Sequence, residues 1–198
     1  MQRNAAGSAD ADDALGGYGL DFSKADLSGL SLVEAMLIEA DLSEACLVDV
    51  VLFRAWLNSA RLDRAKLDGA DLQKSEVRGC TAVDASFRGV DARGAVMEEA
   101  DLRAADFSGS DLRRANFSGS DLRNSRLTDC EYMRTNLNGS RIGGAQVAGG
   151  HGSVYGPVDV GLTEPHIIDG DVLRHWFNEH GAPEVVVLEL KPPSLGVM

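Results

Sequence analysis

Residues 99–123 read "EADLRAADFSGSDLRRANFSGSDLR". A five-residue repeat runs through this stretch without a gap: a small residue, Asp or Asn, Leu or Phe, and two variable residues. A period of five matches neither the 3.6-residue turn of an α-helix nor the two-residue alternation of a β-strand. The stretch therefore predicts a repeating architecture in which short extended pieces alternate with bends.

The third position of the repeat is apolar along most of the chain. Steps of five from Phe22 to Val147 meet 26 consecutive such positions, of which only Ala82 and Ala92 are small and only Tyr132 is polar. Two residues before each centre stands a small side chain, as at Ala65. Residues two apart on an extended chain point the same way. Each repeat is therefore predicted to bury one small and one large side chain and to expose the other three.

The last position of the repeat is often Gly, as at Gly69 and Gly109. Gly suits a backbone that must bend tightly. A chain that turns the same way every five residues winds into a solenoid whose coils are joined by backbone hydrogen bonds around one continuous core. The sequence thus predicts an all-β solenoid.

The repeats "ADLSG", "ARLDR", "AKLDG", "ADFSG" and "ANFSG" resemble those of the pentapeptide-repeat family, and the resemblance covers about residues 20–149. It implies a right-handed quadrilateral β-helix in which four repeats make one coil, giving about six and a half coils. Residues 20 apart then stack on one another. On this basis residues 1–19 are predicted to be a flexible N-terminal segment, and residues 150–198 a linker, helix and strand.

The tail has a different pattern. "IIDGDVLRHWFNEHGAP" predicts a helix with Asp169 as N-cap and Gly181 with Pro183 as the stop. The predicted apolar face of this helix comprises Val172, Leu173, Trp176 and Phe177. "EVVVLEL" then predicts a strand. Two roles remain open: the tail caps the C-terminal coil, or it builds a dimer, as C-terminal additions do in some family members.

The chain is acidic, with 31 Asp and Glu against 19 Lys and Arg and a formal net charge of −12. This balance argues against direct binding of nucleic acid. The acids are concentrated at the two ends, because residues 51–149 are nearly neutral. Outward Arg residues stack in this middle part, as Arg114 does under Arg134, and are predicted to form ion pairs with interleaved Asp residues.

The sequence predicts neither catalysis nor a bound cofactor. No Ser–His–Asp arrangement or Gly-rich phosphate loop is present, the four His residues lie beyond the repeats, and the three Cys residues lack metal-ligand spacing. We expect no catalytic, cofactor-binding or metal-binding residues. No apolar run is long enough to cross a bilayer and no secretory signal is recognised, so we expect a cytoplasmic protein that does not bind membranes.

Several outward positions near the start are apolar, and we call them the apolar patch: Val33, Met36, Ile38, Val51, Phe53 and Trp56. Met36 and Trp56 are 20 apart, so the patch is predicted to occupy two adjoining faces of the first two full coils. Acidic residues accompany it: Glu34, Glu39, Asp41, Glu44 and Asp49. A contiguous exposed apolar area indicates an interface, whose occupant is the chain's own tail, a second copy or another protein. The predicted tail lies at the other end of the rod, which favours a homodimer.

These features predict a non-enzymatic protein-binding or scaffold protein that acts through the surface of a rigid rod. The resemblance implies an alternative. Some bacterial family members resemble duplex DNA in width and charge, bind DNA gyrase in its place and protect it from quinolones, so a topoisomerase is a second candidate partner. The neutral middle part and the absence of a loop insertion in the repeats argue against this alternative.

Overall fold

The structure is a computed structural model that describes residues 16–189. Parallel bridges join residues 20 apart along the repeats, from Gly16 with Met36 to Arg126 with Gln146. The chain therefore advances by one level every 20 residues, and we call a set of residues 20 apart a column. Residues 16–19, which the sequence assigned to the N-terminal segment, already pair with the next level. Residues 1–15 of that segment lie outside the described residues.

Backbone hydrogen bonds explain the 20-residue step. The N–H of Leu67, at the centre of its repeat, donates to the carbonyl of Ser86 on the next level at 2.7 Å. The preceding N–H, of Lys66, donates to the carbonyl of Ala45 on the previous level at 2.9 Å. The other repeats follow the same pattern, so the backbone of each level is bonded on both sides, as buried extended chain requires.

Each repeat ends in a residue with left-handed backbone. This conformation strains residues that carry a Cβ, yet 16 of these positions between Lys24 and Arg134 are not glycine. Ala104, for example, has φ 58°, and its N–H donates to Arg123 on the next level at 3.0 Å. The hydrogen-bonded corner thus imposes the conformation whichever residue the sequence supplies.

The core consists of the side chains that the repeat predicts to point inward. Ala65 and Leu67 are no more than 1% exposed, and the pattern holds from Leu32 to Val147. Phe87 and Phe107, in one column, stack with ring centroids 4.6 Å apart. Small and large inward residues therefore fill the interior together, without a substrate-sized space among the centres of the repeats.

Longer elements appear only towards the C-terminus. The strands and the helix are β1 (Glu131–Asn136), β2 (His151–Tyr155), β3 (Val158–Asp159), β4 (Ile167–Ile168), α1 (Gly170–Glu179) and β5 (Glu184–Leu188). β1, β2 and β5 form a parallel sheet in that order, which continues the column ladder of the repeats, and β3 pairs with β4 in antiparallel fashion. Within residues 16–189 no helix has the length and apolar character that crossing a membrane requires.

Helix α1 packs its inner side against the end of the repeats. Leu173 and Phe177 are buried, and the Phe177 ring lies 6.4 Å from that of Tyr132. Trp176 is partly buried against the same core. Val172 was predicted on this apolar face, but it is 61% exposed. It precedes Leu173 by one residue, and about 100° of helical rotation turns its side chain to solvent.

The corner strain can be tested with two neighbouring alanines. Ala104→Gly removes the Cβ from a left-handed, exposed position and should raise the free energy of unfolding by up to about 1 kcal/mol. Ala105→Gly removes a buried methyl group from ordinary backbone and should lower it by roughly 1–2 kcal/mol. Urea unfolding measures both, and equal destabilisation by the two substitutions would contradict the corner geometry.

Thiol reactivity tests the inward assignment. Burial raises the pKa of the Cys80 and Cys130 thiols to about 12. Cys46 is half-buried and accepts a hydrogen bond from the Ser28 hydroxyl at 3.0 Å. A thiol reagent at neutral pH should therefore modify one cysteine in the native protein and all three after denaturation, with mass spectrometry locating the first at Cys46. Rapid native labelling of Cys80 would contradict the core.

Candidate protein-binding surface

The apolar patch is centred on one corner of the rod, the turn that holds Val33 and Phe53, and extends to Ile38 in the next turn. Val33 and Met36 are each 43% exposed and Trp56 is 39% exposed, whereas Ile38, Val51 and Phe53 are half-buried. Met36 and Trp56 are bridged in one column, and the carbonyl of Phe53 accepts the N–H of Glu34 from the level before. The structure thus places the six predicted side chains on two consecutive levels, although only three are strongly exposed.

Cations border the patch on the side of Phe53. The Arg54 guanidinium and the Lys74 ammonium each lie 5.9 Å from the centre of the Phe53 ring. At this distance the ring attracts a positive charge. The apolar patch therefore passes directly into a positively charged part of the same corner.

Three of the five predicted interface acids are paired with Arg residues one level away. Ion pairs join Glu34 to Arg54 at 3.3 Å, Asp41 to Arg61 at 3.2 Å and Glu44 to Arg64 at 3.0 Å. All three Arg side chains remain largely exposed, so the pairs neutralise charge but add little stability. These pairs were not predicted from the sequence, although the 20-residue spacing of the partners indicates them.

The other two acids have local roles. Glu39 accepts a hydrogen bond from the Tyr18 hydroxyl at 3.0 Å, which raises the pKa of Tyr18. The Asp49 carboxylate lies so close to Gly69 that a Cβ at that position would collide with it. A larger residue at this position would therefore require the Asp49 carboxylate to move.

Arg residues in the middle of the rod form the predicted ion-pair lattice. Arg93 contacts Asp91 at 2.6 Å and Asp111 at 3.5 Å, and Arg113 contacts Glu131 at 3.5 Å. Partial burial alone would raise the pKa of Asp91, but hydrogen bonds from Arg93 hold it below its ordinary value. The carboxylates around Arg93 and Arg113 are therefore ion-paired.

The same corner also carries cations outside this lattice. Lys74, Arg114 and Arg134 belong to one column, are exposed, and form no ion pair with another residue in 16–189. The expectation that Arg114 and Arg134 are ion-paired is therefore wrong, because the nearby carboxylates are held by Arg93 and Arg113. Gly94 separates Lys74 from Arg114 in the column and leaves an open depression of about 340 Å³ between them. Met133 borders it and is 48% exposed.

The predicted tail residues are remote from the apolar patch. Leu173, Trp176 and Phe177 pack near Tyr132, whereas the patch ends at Trp56. Nearly four levels separate them, or about 18 Å at the spacing of neighbouring strands. The described part of the tail therefore leaves the patch uncovered.

The His, Cys, Asp and Glu side chains of the described residues do not form a metal site. No group of three or more His, Cys, Asp or Glu residues within 16–189 is arranged to hold a metal ion. His180 stacks on Trp176 with centroids 4.1 Å apart, and His175 contacts Glu179 at 3.2 Å. Both His residues therefore contact neighbouring side chains of helix α1.

Solved structures with a similar fold include a trypsin-treated variant of QnrB1, a plasmid-mediated fluoroquinolone resistance protein. It shares 19% identity, covers 75% of this chain and 83% of its own, and gives a TM-score of 0.53. HetL, a pentapeptide repeat protein involved in heterocyst differentiation regulation in the cyanobacterium Nostoc, shares 21% identity over 74% of this chain and 80% of its own, with a TM-score of 0.39. At these identities the likeness concerns the fold alone.

Family profiles match the repeats themselves. The profile "Pentapeptide repeat region" matches residues 60–137, and "Pentapeptide repeats (8 copies)" matches residues 18–54. No curated protein matches the chain. Together the two profiles cover more than half of the sequence, within the levels whose columns are described above. The chain therefore belongs to the pentapeptide-repeat family.

Proposed function

We propose that this chain is a non-enzymatic protein-binding or scaffold protein of the cytoplasm that recognises its partner through the surface of a rigid rod. The observation that carries the proposal is the apolar patch, where Val33, Met36 and Trp56 are exposed side by side. Exposed apolar side chains in contact with one another mark interaction sites. The interface comprises the patch and its neighbouring acids, of which Glu34, Asp41 and Glu44 are oriented by ion pairs to the next level.

The rod provides the rigidity that such recognition needs. We propose a right-handed quadrilateral β-helix of about six and a half coils, because the bridges step by 20 residues and each step contains four repeats. The tail is assigned the role of cap on the C-terminal coil. Burial of Leu173 and Phe177 and the addition of β5 to β2 support this role.

The proposed absence of catalysis follows from the interior. Its positions are filled by Leu, Ala and Phe side chains, and enzymes place their reactive groups in a concave pocket. Outward carboxylates form ion pairs with Arg residues of the next level, as Asp41 does with Arg61, or of their own repeat, as Asp91 does with Arg93. Surface shape and charge are therefore the means by which the rod acts, with no cofactor.

Substitution of one patch residue tests the interface. Trp56→Arg places a charge in the exposed patch without touching the core, so the rod should stay folded while partner binding falls by at least about tenfold. Val83→Arg is the matched control, because Val83 is a half-buried apolar residue in another column. Affinity capture from the native cell with wild type and both variants measures the effect.

A protein that the wild type and Val83→Arg capture, but Trp56→Arg does not, identifies the partner. Equal capture by all three would show that the patch is not the interface. Circular dichroism and melting of the variants confirm that the comparison concerns binding rather than folding.

A second candidate function is regulation of DNA gyrase by mimicry of DNA. The net charge of −12 favours it, and so does the fold shared with the resistance protein QnrB1. A DNA mimic needs a continuous negative stripe. Here Arg61, Arg93 and Arg113 interrupt or neutralise the acidic columns, so the protein-binding function has the stronger support.

Supercoiling by DNA gyrase, with and without a fluoroquinolone, distinguishes the two candidates. If the scaffold function is correct, this chain at micromolar concentration should change neither the supercoiling rate nor the inhibition by the drug. Protection from the drug that is lost on Glu34→Arg and Asp41→Arg would instead establish the mimic.

A further inference from the structure

We infer that the corner with the apolar patch pairs, in antiparallel orientation, with the same corner of a second copy of this chain. The inference rests on the proposed function, because it assigns an occupant to the same surface. It goes further by fixing the partner's identity, its direction and the residues that meet. One rod carries both sets of residues that meet in this contact.

Exposed apolar side chains are the first observation. Between residues 31 and 150, the large apolar side chains that are strongly exposed are Val33, Met36, Trp56 and Met133. Val33 and Met133 occupy the two ends of one column, five levels apart, and Met36 and Trp56 lie beside the Val33 end. The corner is thus apolar at both ends and polar between them.

Charge along the neighbouring column is the second observation. It contains, in order, Glu34, Arg54, Lys74, Gly94, Arg114 and Arg134, and of its four cations only Arg54 has an ion-pair partner within 16–189, which is Glu34. When the column is reversed against itself, its one acid, Glu34, lies opposite the cation Arg134 at the far end, so each end of the contact has one pair of opposite charges.

The symmetry of a closed dimer determines how these residues meet. The two-fold axis lies between the two rods, perpendicular to their length. It makes the second rod run in the opposite direction and places each column opposite the same column of the second copy. Centred between the levels of Gln73 and Arg93, this axis places Val33 against Met133 of the second copy. Every contact then occurs twice.

The same axis produces complementary pairs in the polar part. Glu34 meets Arg134, and the Phe53 ring, which already attracts cations, meets Arg113. Lys74 lies opposite Gly94, whose missing side chain leaves room for it. Arg54 against Arg114 is the like-charge contact of this column, and it limits affinity.

The size of the contact predicts a weak dimer. Five steps of about 4.8 Å give a length of about 24 Å, and five residues of about 3.3 Å give a width of at most about 16 Å. The total buried area is then roughly 800 Å², which is less than the roughly 1,200 Å² that stable interfaces bury and is in the range of weak, transient ones. We expect a monomer–dimer equilibrium that shifts with concentration.

Charge exchange tests the orientation by sedimentation over a roughly hundredfold concentration range. Glu34→Arg and Arg134→Glu each place like charges together and should weaken dimerisation at least about tenfold, whereas the double variant should restore it. Arg126→Glu changes an exposed Arg of another column and is the control. Monomer at every concentration, or a double variant no better than the single ones, would overturn the proposal.

Cross-linking tests the register in a Cys46→Ser background. A mixture of Val33→Cys and Met133→Cys chains should form a disulfide-linked heterodimer on mild oxidation, and neither variant alone should cross-link. Self-linking of Val33→Cys would refute the antiparallel pairing. If the wild-type chain is monomeric but still captures a partner through Trp56, the dimer fails while the proposed function stands.

Discussion

The backbone register between levels governs the rest of this structure. Each repeat donates two N–H groups forward, as Leu67 and Gly69 do, and one backward, as Lys66 does, so neighbouring levels must stay 20 residues apart in phase. This phase turns the small and large apolar residues inward in every repeat and leaves three positions outside. The core needs no long strands, because many short bridges act together. Stability is therefore spread along the rod in nearest-neighbour contacts.

The same register controls the surface. An outward cation can reach a carboxylate two residues away in its own repeat, as Arg93 reaches Asp91, or one 20 residues away, as Arg54 reaches Glu34. Where one Arg takes both kinds of partner, a neighbouring cation is left without any. Arg114 is such a cation beside Arg113. The charge of each part of the rod surface thus depends on which carboxylates each Arg side chain contacts, in its own repeat or in another level. The net charge of the chain therefore does not predict the charge of any one side.

The sequence was sufficient for the fold and only partly sufficient for the surface. The period of five and its apolar centres predicted the solenoid and the buried residues, because backbone geometry leaves few alternatives. The exposure of Val172 was not predicted, because the side of helix α1 that is buried depends on where Phe177 meets Tyr132. The unpaired state of Arg114 also escaped prediction, since it depends on side-chain choices among several nearby carboxylates. The role of the apolar patch as an interface remains a prediction.

The 20-residue phase also constrains how such a chain can change in length during evolution. Insertion of four repeats lengthens the rod by one level and keeps every column in line, so an existing binding surface survives. Insertion of a single repeat preserves the core pattern but moves all later residues into the next column. Met133 would then leave the corner that carries Val33, although no residue had been substituted. Changes of length in this fold are therefore equivalent to rotating one end of the molecule against the other.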